Sequence, residues 1–368
     1  MSKFFVSELS FSHFRSHLMS KMAMTGRPVA IFGRNGVGKT NILEAISLLS
    51  PGRGIRNAKP YDISRKPEDV GWKIKAKLQN NEQILEVETF LNSGSSRVVK
   101  IDEKIQTQIS LSKNYKILWL SPLMDRLWIE GAEGRRKFLD RMTLNFIPDH
   151  GSIFIRFQKC LRQRNRLLKD NINDEKWYDV LEEKLSIDGA NLNKNRAITV
   201  EKIDKALENL NPVFPKAKLS LIDTQYLDSS TSIEELRRAF KDNRSKDLLA
   251  GRTLVGPHRI DLSALYLEKN NFVTECSTGE QKAILISIIL ANAWSLSEYV
   301  GVPPILLLDE VTAHLDDNRR AELYEEILNL KAQVFMTGTE KKLFDSIGDS
   351  LDQFEVCDNN GVSQIISA

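Results

Sequence analysis

Apolar positions along the chain repeat with more than one period, and each period predicts a different kind of element. Phe4 to Phe14 is apolar and aromatic and reads as a first strand. Pro28-Val29-Ala30-Ile31-Phe32 is a short, nearly unbroken apolar run ahead of a glycine loop, the pattern of a strand buried on both faces of a parallel sheet. Ile42, Ala45, Ile46 and Leu49 then fall at helical spacing and predict a helix over Asn41–Leu49, which Pro51-Gly52-Arg53-Gly54 stops. From Gly71 to Gln108 the period changes to two. Trp72, Ile74, Ala76 and Leu78 alternate with Lys73, Lys75 and Lys77. A turn at Asn80-Asn81, a strand over Leu85–Leu91, a second turn at 92–96 and a strand over Val98–Ile101 complete an antiparallel meander. The three lysines fit a solvated face that blunts an exposed sheet better than they fit a DNA contact.

From Arg135 to about Lys246 long stretches lack Gly and Pro and charges recur four residues apart, so this region is predicted to be mostly helical. Asn211-Pro212 and Phe214-Pro215 break it into two halves, and no heptad pattern lasts long enough for a long coiled coil. After Gly251 strand and helix patterns return, with Ile305–Leu308 as a buried strand and Gln333–Thr337 as a late one. The expected architecture is an α/β head with an antiparallel β subdomain and an inserted short helical arm. Its expected segments are 1–133, 134–248 and 249–368.

Composition narrows the class. The chain has 368 residues, 41% hydrophobic and 27% charged, as in an ordinary soluble globular protein. A net charge of +3 permits a nucleic-acid partner without requiring one, so a basic surface would have to be local. Cys160, Cys276 and Cys357 are isolated, which suits buried thiols in a reducing cytosol. No signal-peptide pattern follows Met1, and the longest apolar stretch, Ala283 to Trp294, contains Asn292 and falls short of the roughly twenty residues a membrane span needs. A cytoplasmic protein without a membrane partner is expected.

Three short stretches carry chemistry. Gly33-Arg34-Asn35-Gly36-Val37-Gly38-Lys39-Thr40 fits the phosphate-loop pattern G-x-x-x-x-G-K-[ST]. Its glycines leave backbone N–H groups free to wrap phosphate oxygens, and the helix that begins near Asn41 aims its positive end at the same place. Lys39 can reach the β- and γ-phosphates of ATP, and the Thr40 hydroxyl can hold Mg²⁺. The strand Ile305–Leu308 delivers Asp309 to its carboxyl end for the Mg²⁺ shell, and Glu310 follows at once, placed to orient or deprotonate an attacking water. Ser277-Thr278-Gly279-Glu280 opens a helix, which by itself is an ordinary N-cap.

The order of these three stretches resembles the ABC class of ATPases. The resemblance implies that Ser277, Gly279 and Glu280 cap a γ-phosphate bound by a partner subunit. It also implies that Ala313-His314-Leu315-Asp316 is a D-loop along the seam of an ATP-dependent homodimer. About 240 residues separate the first motif from the signature, too many for a transporter ATPase subunit, which is the alternative reading. An SMC-like tether would need a long coiled coil, and an OLD-type nuclease more chain after Thr337.

Further segments resemble the RecF family along most of the chain: Phe11-Ser12-His13-Phe14-Arg15, Leu49-Ser50-Pro51-Gly52-Arg53-Gly54-Ile55-Arg56, Leu120-Ser121-Pro122, Gly134 to Asp140, Leu161-Arg162-Gln163-Arg164-Asn165, and Thr253 to Arg259. The resemblance implies a DNA repair and replication protein that binds DNA. It further implies work with RecR and RecO to load RecA onto gapped DNA, support of the SOS response, and release of DNA by hydrolysis. Four departures stand out. Ile260 replaces the usual acid after His-Arg, the signature reads Ser-Thr-Gly-Glu, no Q-loop glutamine precedes Ser121-Pro122, and Thr337-Gly338-Thr339 occupies the region of the transporter switch histidine. They predict slow hydrolysis that acts as a timer.

For DNA itself one stretch stands out. Arg156, Lys159, Arg162, Arg166 and Lys169 step by three or four residues and share one helix face, with Phe154, Phe157, Leu161 and Leu168 opposite. Such a stripe matches a phosphate track, and equally a solvated face. Arg53, Arg56 and Lys59 are additional candidates.

Overall fold

Four-residue runs with no polar side chain can sit only where both faces are covered, and one sheet of this chain is built on three of them. The computed structural model describes residues 4–92, 94–223, 231–311, 316–348 and 350–368. Val29–Phe32, Ile305–Leu308 and Ile117–Leu120 are buried along their whole length. They belong to a six-stranded sheet in the order Val362–Ser367, Asp352–Asn359, Val29–Phe32, Val334–Gly338, Ile305–Leu308, Ile117–Leu120. Every pairing is parallel except that of the last hairpin, Asp352–Asn359 with Val362–Ser367. That hairpin lies outside the sequence expectation, although its turn is legible. Asn360 at φ 53° and Gly361 at φ 79° take the left-handed conformations that an Asn-Gly turn supplies at low cost.

The meander forms a second six-stranded sheet, antiparallel, in the order His17–Ala23, Phe5–Phe14, Gly71–Gln79, Ile84–Asn92, Val98–Ile101, Lys104–Gln106. Its apolar residues share a continuous core with those of the parallel sheet, from Val6 and Ile74 through Ile42 and Ile46 to Ile305 and Phe335. The buried amide of Gln333 joins the two sheets. It accepts from the Val6 N–H at 2.8 Å and donates to the Val6 carbonyl at 3.0 Å, beside the register shift between Val6 and Glu8. Lys73, Lys75 and Lys77 pair across strands with Glu88, Glu86 and Glu8 at 3.1, 2.9 and 3.1 Å, so they form the solvated face.

The chain divides into two compact units: Met1–Asp125 with Asn211–Phe214 and Leu285–Ala368, and Arg126–Leu210 with Pro215–Ile284. Both sheets belong to the first unit. The second carries the helices Ala132–Phe146, His150–Lys169, Glu175–Glu208, Ile233–Asp242 and Arg244–Ala250. It also carries a departure from the helical expectation: Ala217–Asp223 is a strand, paired antiparallel along its length with Ile260–Tyr266. The alternation of buried Ala217 and Leu219 with exposed Lys218 and Ser220 is the signal a helical reading passes over.

The second unit is organised by buried charge. Arg164, wholly buried among Phe157, Leu161 and Phe240, donates to Glu182 at 2.9 Å, to Asp247 at 2.7 Å and to the Thr253 hydroxyl at 2.8 Å. Arg244 adds a second cation to Glu182 at 2.6 Å. In the same unit Arg196 binds Asp140 at 2.7 Å and the Pro257 carbonyl at 2.7 Å, which ties the Thr253–Arg259 segment to the long helix. Gly256 takes φ 117°, and a Cβ there would come within 2.9 Å of Phe240. Removing one member of such a network strands the others, at a cost of about 3–5 kcal/mol. Arg164→Met is therefore expected to destabilise the protein by about that amount in urea denaturation followed by circular dichroism, while the exposed neighbour change Arg162→Met costs less than about 0.5 kcal/mol.

Candidate functional site

Ligand sites in α/β sheets form at the carboxyl ends of the parallel strands, and here three adjacent strands end together. Val29–Phe32 feeds the glycine loop, Val334–Gly338 presents Thr337, and Ile305–Leu308 presents Asp309. The loop turns on Gly36 and Gly38, at φ 85° and 104°, and passes into the helix Lys39–Ser47. Gly38 admits no side chain, because a Cβ would meet Ser363 Oγ at 2.6 Å, Ser16 Oγ at 2.7 Å and His17 Nε2 at 3.0 Å. Around it Ser363 Oγ donates to the Val37 carbonyl at 2.6 Å, and Asn41 Nδ2 donates to Ser16 Oγ at 2.7 Å. Arg34, Asn35 and Gly36 remain exposed at the loop crest.

Lys39 lies buried inside the loop, with Nζ donating to the carbonyls of Gly33 at 2.7 Å and Arg34 at 2.9 Å. Burial pulls its ammonium below the ordinary lysine value, opposed by the charges of Glu310 and Asp309. The Thr40 hydroxyl donates to Asp309 Oδ1 at 3.0 Å, joining residues 269 positions apart. Thr337 Oγ1 donates to the same oxygen at 2.8 Å and accepts from the Glu310 N–H at 2.8 Å. Glu310 has φ 52°, a left-handed backbone that few residues with a side chain adopt, and the Thr337 bond holds it there. Thr337 thus links the Asp309 carboxylate to the backbone of Glu310. Burial raises Asp309 above the ordinary carboxylate range, the Thr337 and Thr40 hydroxyls counter that, and Glu310 adds to it.

Behind the loop helix lies a cluster of charges around a buried carboxylate. Glu44 is fully buried and receives Arg15 at 2.7 and 2.9 Å and Arg56 at 3.1 Å, while Arg56 also donates to Asn41 Oδ1 at 2.7 Å. Arg56, expected as a DNA contact, is committed to this cluster, whereas Arg53 is exposed. Arg97, in the turn just before the strand Val98–Ile101, caps the other end of the helix. Its guanidinium donates to the carbonyls of Leu48 and Ser50, which lie just past the last turn, and to Gly52 at 2.5 Å. Nothing local in the sequence marks Arg97 as a cap, because the carbonyls it reaches are 45 to 49 residues away.

The signature belongs to the second unit. Ser277, Thr278 and Gly279 are exposed at the start of the helix Thr278–Tyr299. Ser277 and Glu280 form a reciprocal cap: Glu280 Oε2 accepts from the Ser277 hydroxyl at 2.8 Å and N–H at 2.9 Å, and Ser277 Oγ accepts from the Glu280 N–H at 3.4 Å. Of the expected D-loop, Ala313, His314 and Leu315 lie outside the described residues, and Asp316 caps the next helix by accepting from Arg319 N at 2.9 Å. On the arm helix His150–Lys169, Lys159, Arg162, Arg166 and Lys169 are exposed along one side as expected. Arg156 is exposed as well, but Asp188 on the neighbouring helix holds it at 2.8 Å, and Asp170 lies 3.6 Å from Arg166. No helix of the described residues is long and apolar enough to cross a membrane.

The chain matches the family described as RecF/RecN/SMC N terminal domain over residues 5–363. Proteins named DNA replication and repair protein RecF from Rhizobium etli and Rickettsia akari are each 38% identical to it. The first alignment covers 96% of this chain and 97% of that relative, the second 92% and 95%. This chain belongs to the RecF family. The solved structure of the recombination mediator protein RecF-ATP in the RecFOR pathway shares its fold, with a TM-score of 0.87 at 24% identity over 99% of this chain and 98% of that one. An Smc head domain from Pyrococcus furiosus shares it more distantly, at a TM-score of 0.58 and 16% identity over 99% and 96%. The RecF-like ABC head expected from the motif order is therefore present, with no long coiled coil among the described residues.

The raised pKa of Asp309 has a thermodynamic consequence. A carboxyl whose folded pKa lies above its unfolded value favours folding fully only below the ordinary aspartate pKa near 4, and that contribution is lost as pH rises through the folded value. Asp309→Asn should therefore raise the melting temperature of nucleotide-free protein at pH 7.5 by roughly 2–4 °C, and the difference from wild type should shrink toward pH 4 in scanning calorimetry.

Proposed function

We propose that this chain is an ATP-gated DNA-binding protein of recombinational gap repair, in which ATP joins two copies head to head. The observation that carries this reading is the bonded set Thr40–Asp309–Thr337–Glu310 beside a glycine loop, together with an exposed Ser-Thr-Gly-Glu helix start on the other unit. The fit to nucleotide rests on the loop crest, where Arg34, Asn35 and Gly36 are exposed and Gly36 and Gly38 take left-handed backbone angles that a phosphate cradle uses. Lys39 would exchange the carbonyls of Gly33 and Arg34 for β- and γ-phosphate oxygens. Two hard oxygen donors within 3.0 Å of each other, on Thr40 and Asp309, suit Mg²⁺, which when bound neutralises phosphate charge. Glu310, held in its left-handed turn, would orient the attacking water and take its proton. Ser277 and Gly279 would complete the site from the second copy, with Asp316 near the seam.

The curated relatives are named for DNA replication and repair and a solved neighbour for the RecFOR pathway, which supports DNA, RecO and RecR as partners and RecA loading and the SOS response as outcomes. Lys159, Arg162, Arg166 and Lys169 supply the surface for the DNA backbone. Hydrolysis releases the dimer and the DNA. With Thr337 in place of a titratable histidine, the site acts as a slow timer rather than a motor.

Two sets of variants test this. Glu310→Gln should bind ATP, lose at least roughly a hundredfold in turnover and accumulate as a dimer on a sizing column. Ser277→Arg should bind ATP and remain a monomer. Wild-type turnover in the first, or a normal ATP dimer in the second, removes the composite site. For DNA, the triple change Lys159, Arg162 and Lys169 to Ala omits Arg156 and Arg166, which Asp188 and Asp170 pair. It should leave ATP affinity unchanged and reduce the slope of log K against log salt by roughly 0.9 per lost phosphate contact. An unchanged slope in the folded variant assigns this face to solvent.

A further inference from the structure

The signature of this chain carries an acid, and what lies against that acid has a use only in the dimer. Glu280 is the third residue of its helix, and both of its carboxylate oxygens are engaged. Oε2 takes the Ser277 N–H and hydroxyl, and Oε1 meets the ammonium of Lys269. These contacts, the Lys269 bond first, hold the Glu280 carboxyl down to about 2, so it is ionised at any physiological pH. A loop built to receive phosphate oxygens therefore has a full negative charge at its lip. In water such a charge is screened and harmless. When another copy covers the loop and excludes water, it would oppose an incoming phosphate directly.

Lys269 answers this problem from a separate element. It sits in the turn that joins Ile260–Tyr266 to Asn271–Phe272, whose register pairs Leu265 with Phe272 and Tyr266 with Asn271. Asn270 takes φ 52° to close the turn, and the Tyr266 hydroxyl donates to Glu268 at 2.8 Å to fix its other side. The turn thus holds the Lys269 ammonium against Glu280 while the side chain stays half-exposed. An exposed pair of this kind contributes little to the stability of the monomer, so a stabilising role does not account for the arrangement.

We propose that Lys269 is a positioning residue of the composite ATP site: it neutralises Glu280 and so lets the Ser277–Gly279 loop close over a nucleotide phosphate carried by another copy of this chain. The inference rests on the dimeric reading above. It predicts a charge-compensation pattern. Lys269→Met should leave the melting temperature and the ATP affinity of the monomer unchanged but weaken ATP-dependent dimerisation at least roughly tenfold, since an isologous dimer contains the pair twice. Glu280→Gln keeps the acceptor for Ser277 and removes the charge, so in that background the added change Lys269→Met should alter the dimer dissociation constant by less than about threefold, whatever Glu280→Gln does alone.

The measurement is the dimer dissociation constant with ATP in the full chain, by analytical ultracentrifugation, with Ser277→Arg as reference. Unchanged dimerisation in Lys269→Met overturns the proposal. So does a loss that persists in the Glu280→Gln background, or one that tracks a fall in melting temperature, because neither would come from an uncompensated Glu280 charge. If Ser277→Arg itself dimerises normally with ATP, the dimeric reading fails instead, and the two failures are told apart by that one control.

Discussion

The hydrogen bond from Thr40 to Asp309 is the contact on which the rest of the nucleotide site depends. It joins the first residues of the loop helix to the end of a strand far along the chain, and Thr337 reinforces it from the strand between them. Asp309 is buried, so its charge is tolerated only because two hydroxyls point at it. The same Thr337 accepts from the backbone N–H of Glu310, so the Asp309 carboxylate and the Glu310 main chain are set by one side chain. The site is preorganised in the sense that its oxygens already face one another before any ligand is considered.

The second unit solves a different problem. Its elements come from two chain segments separated by Asn211–Phe214, and its apolar cluster is modest, centred on Phe157, Leu161, Leu185, Leu192, Leu236 and Phe240. Buried arginines supply the specificity that a small core lacks. Arg164 and Arg196 each reach across to residues on several elements, and the Thr253–Arg259 segment is bound by both. His258, buried in that segment with its Nε2 against the Thr253 carbonyl, is pulled by burial to about 4 and stays neutral at physiological pH. The Gly-Pro-His-Arg stretch, which motif reading left without a role, is in this unit a structural joint.

Much of this was legible in sequence because period and motif order are local or ordinal signals. Val29–Phe32, Ile305–Leu308 and the alternating strand Gly71–Gln79 show their burial directly in residue type, and the three nucleotide motifs identify one another by order. What was not legible depends on partners distant in the chain. Arg56 reads as a free cation until Glu44 is found beneath it, Arg156 until Asp188 is, and Arg97 has no local mark at all. The strand Ala217–Asp223 was lost for the converse reason. Its alternation is short and follows a long helix, so the helical period on one side outweighed the period of two.

The enclosure of Gly38 has a consequence for the order in which the protein becomes competent during synthesis. Its neighbours are Ser16 and His17, made before the loop, and Ser363, made near the end of the chain. Ser363 also holds the Val37 carbonyl, and its strand pairs with Asp352–Asn359, which lies alongside the strand that feeds the loop. A ribosome that has translated the glycine motif has therefore not yet made a finished nucleotide cradle. Some 320 further residues must emerge before the last wall is in place. A nascent or truncated chain carrying an intact motif would lack that wall, so a finished loop is deferred until the last strands have been delivered.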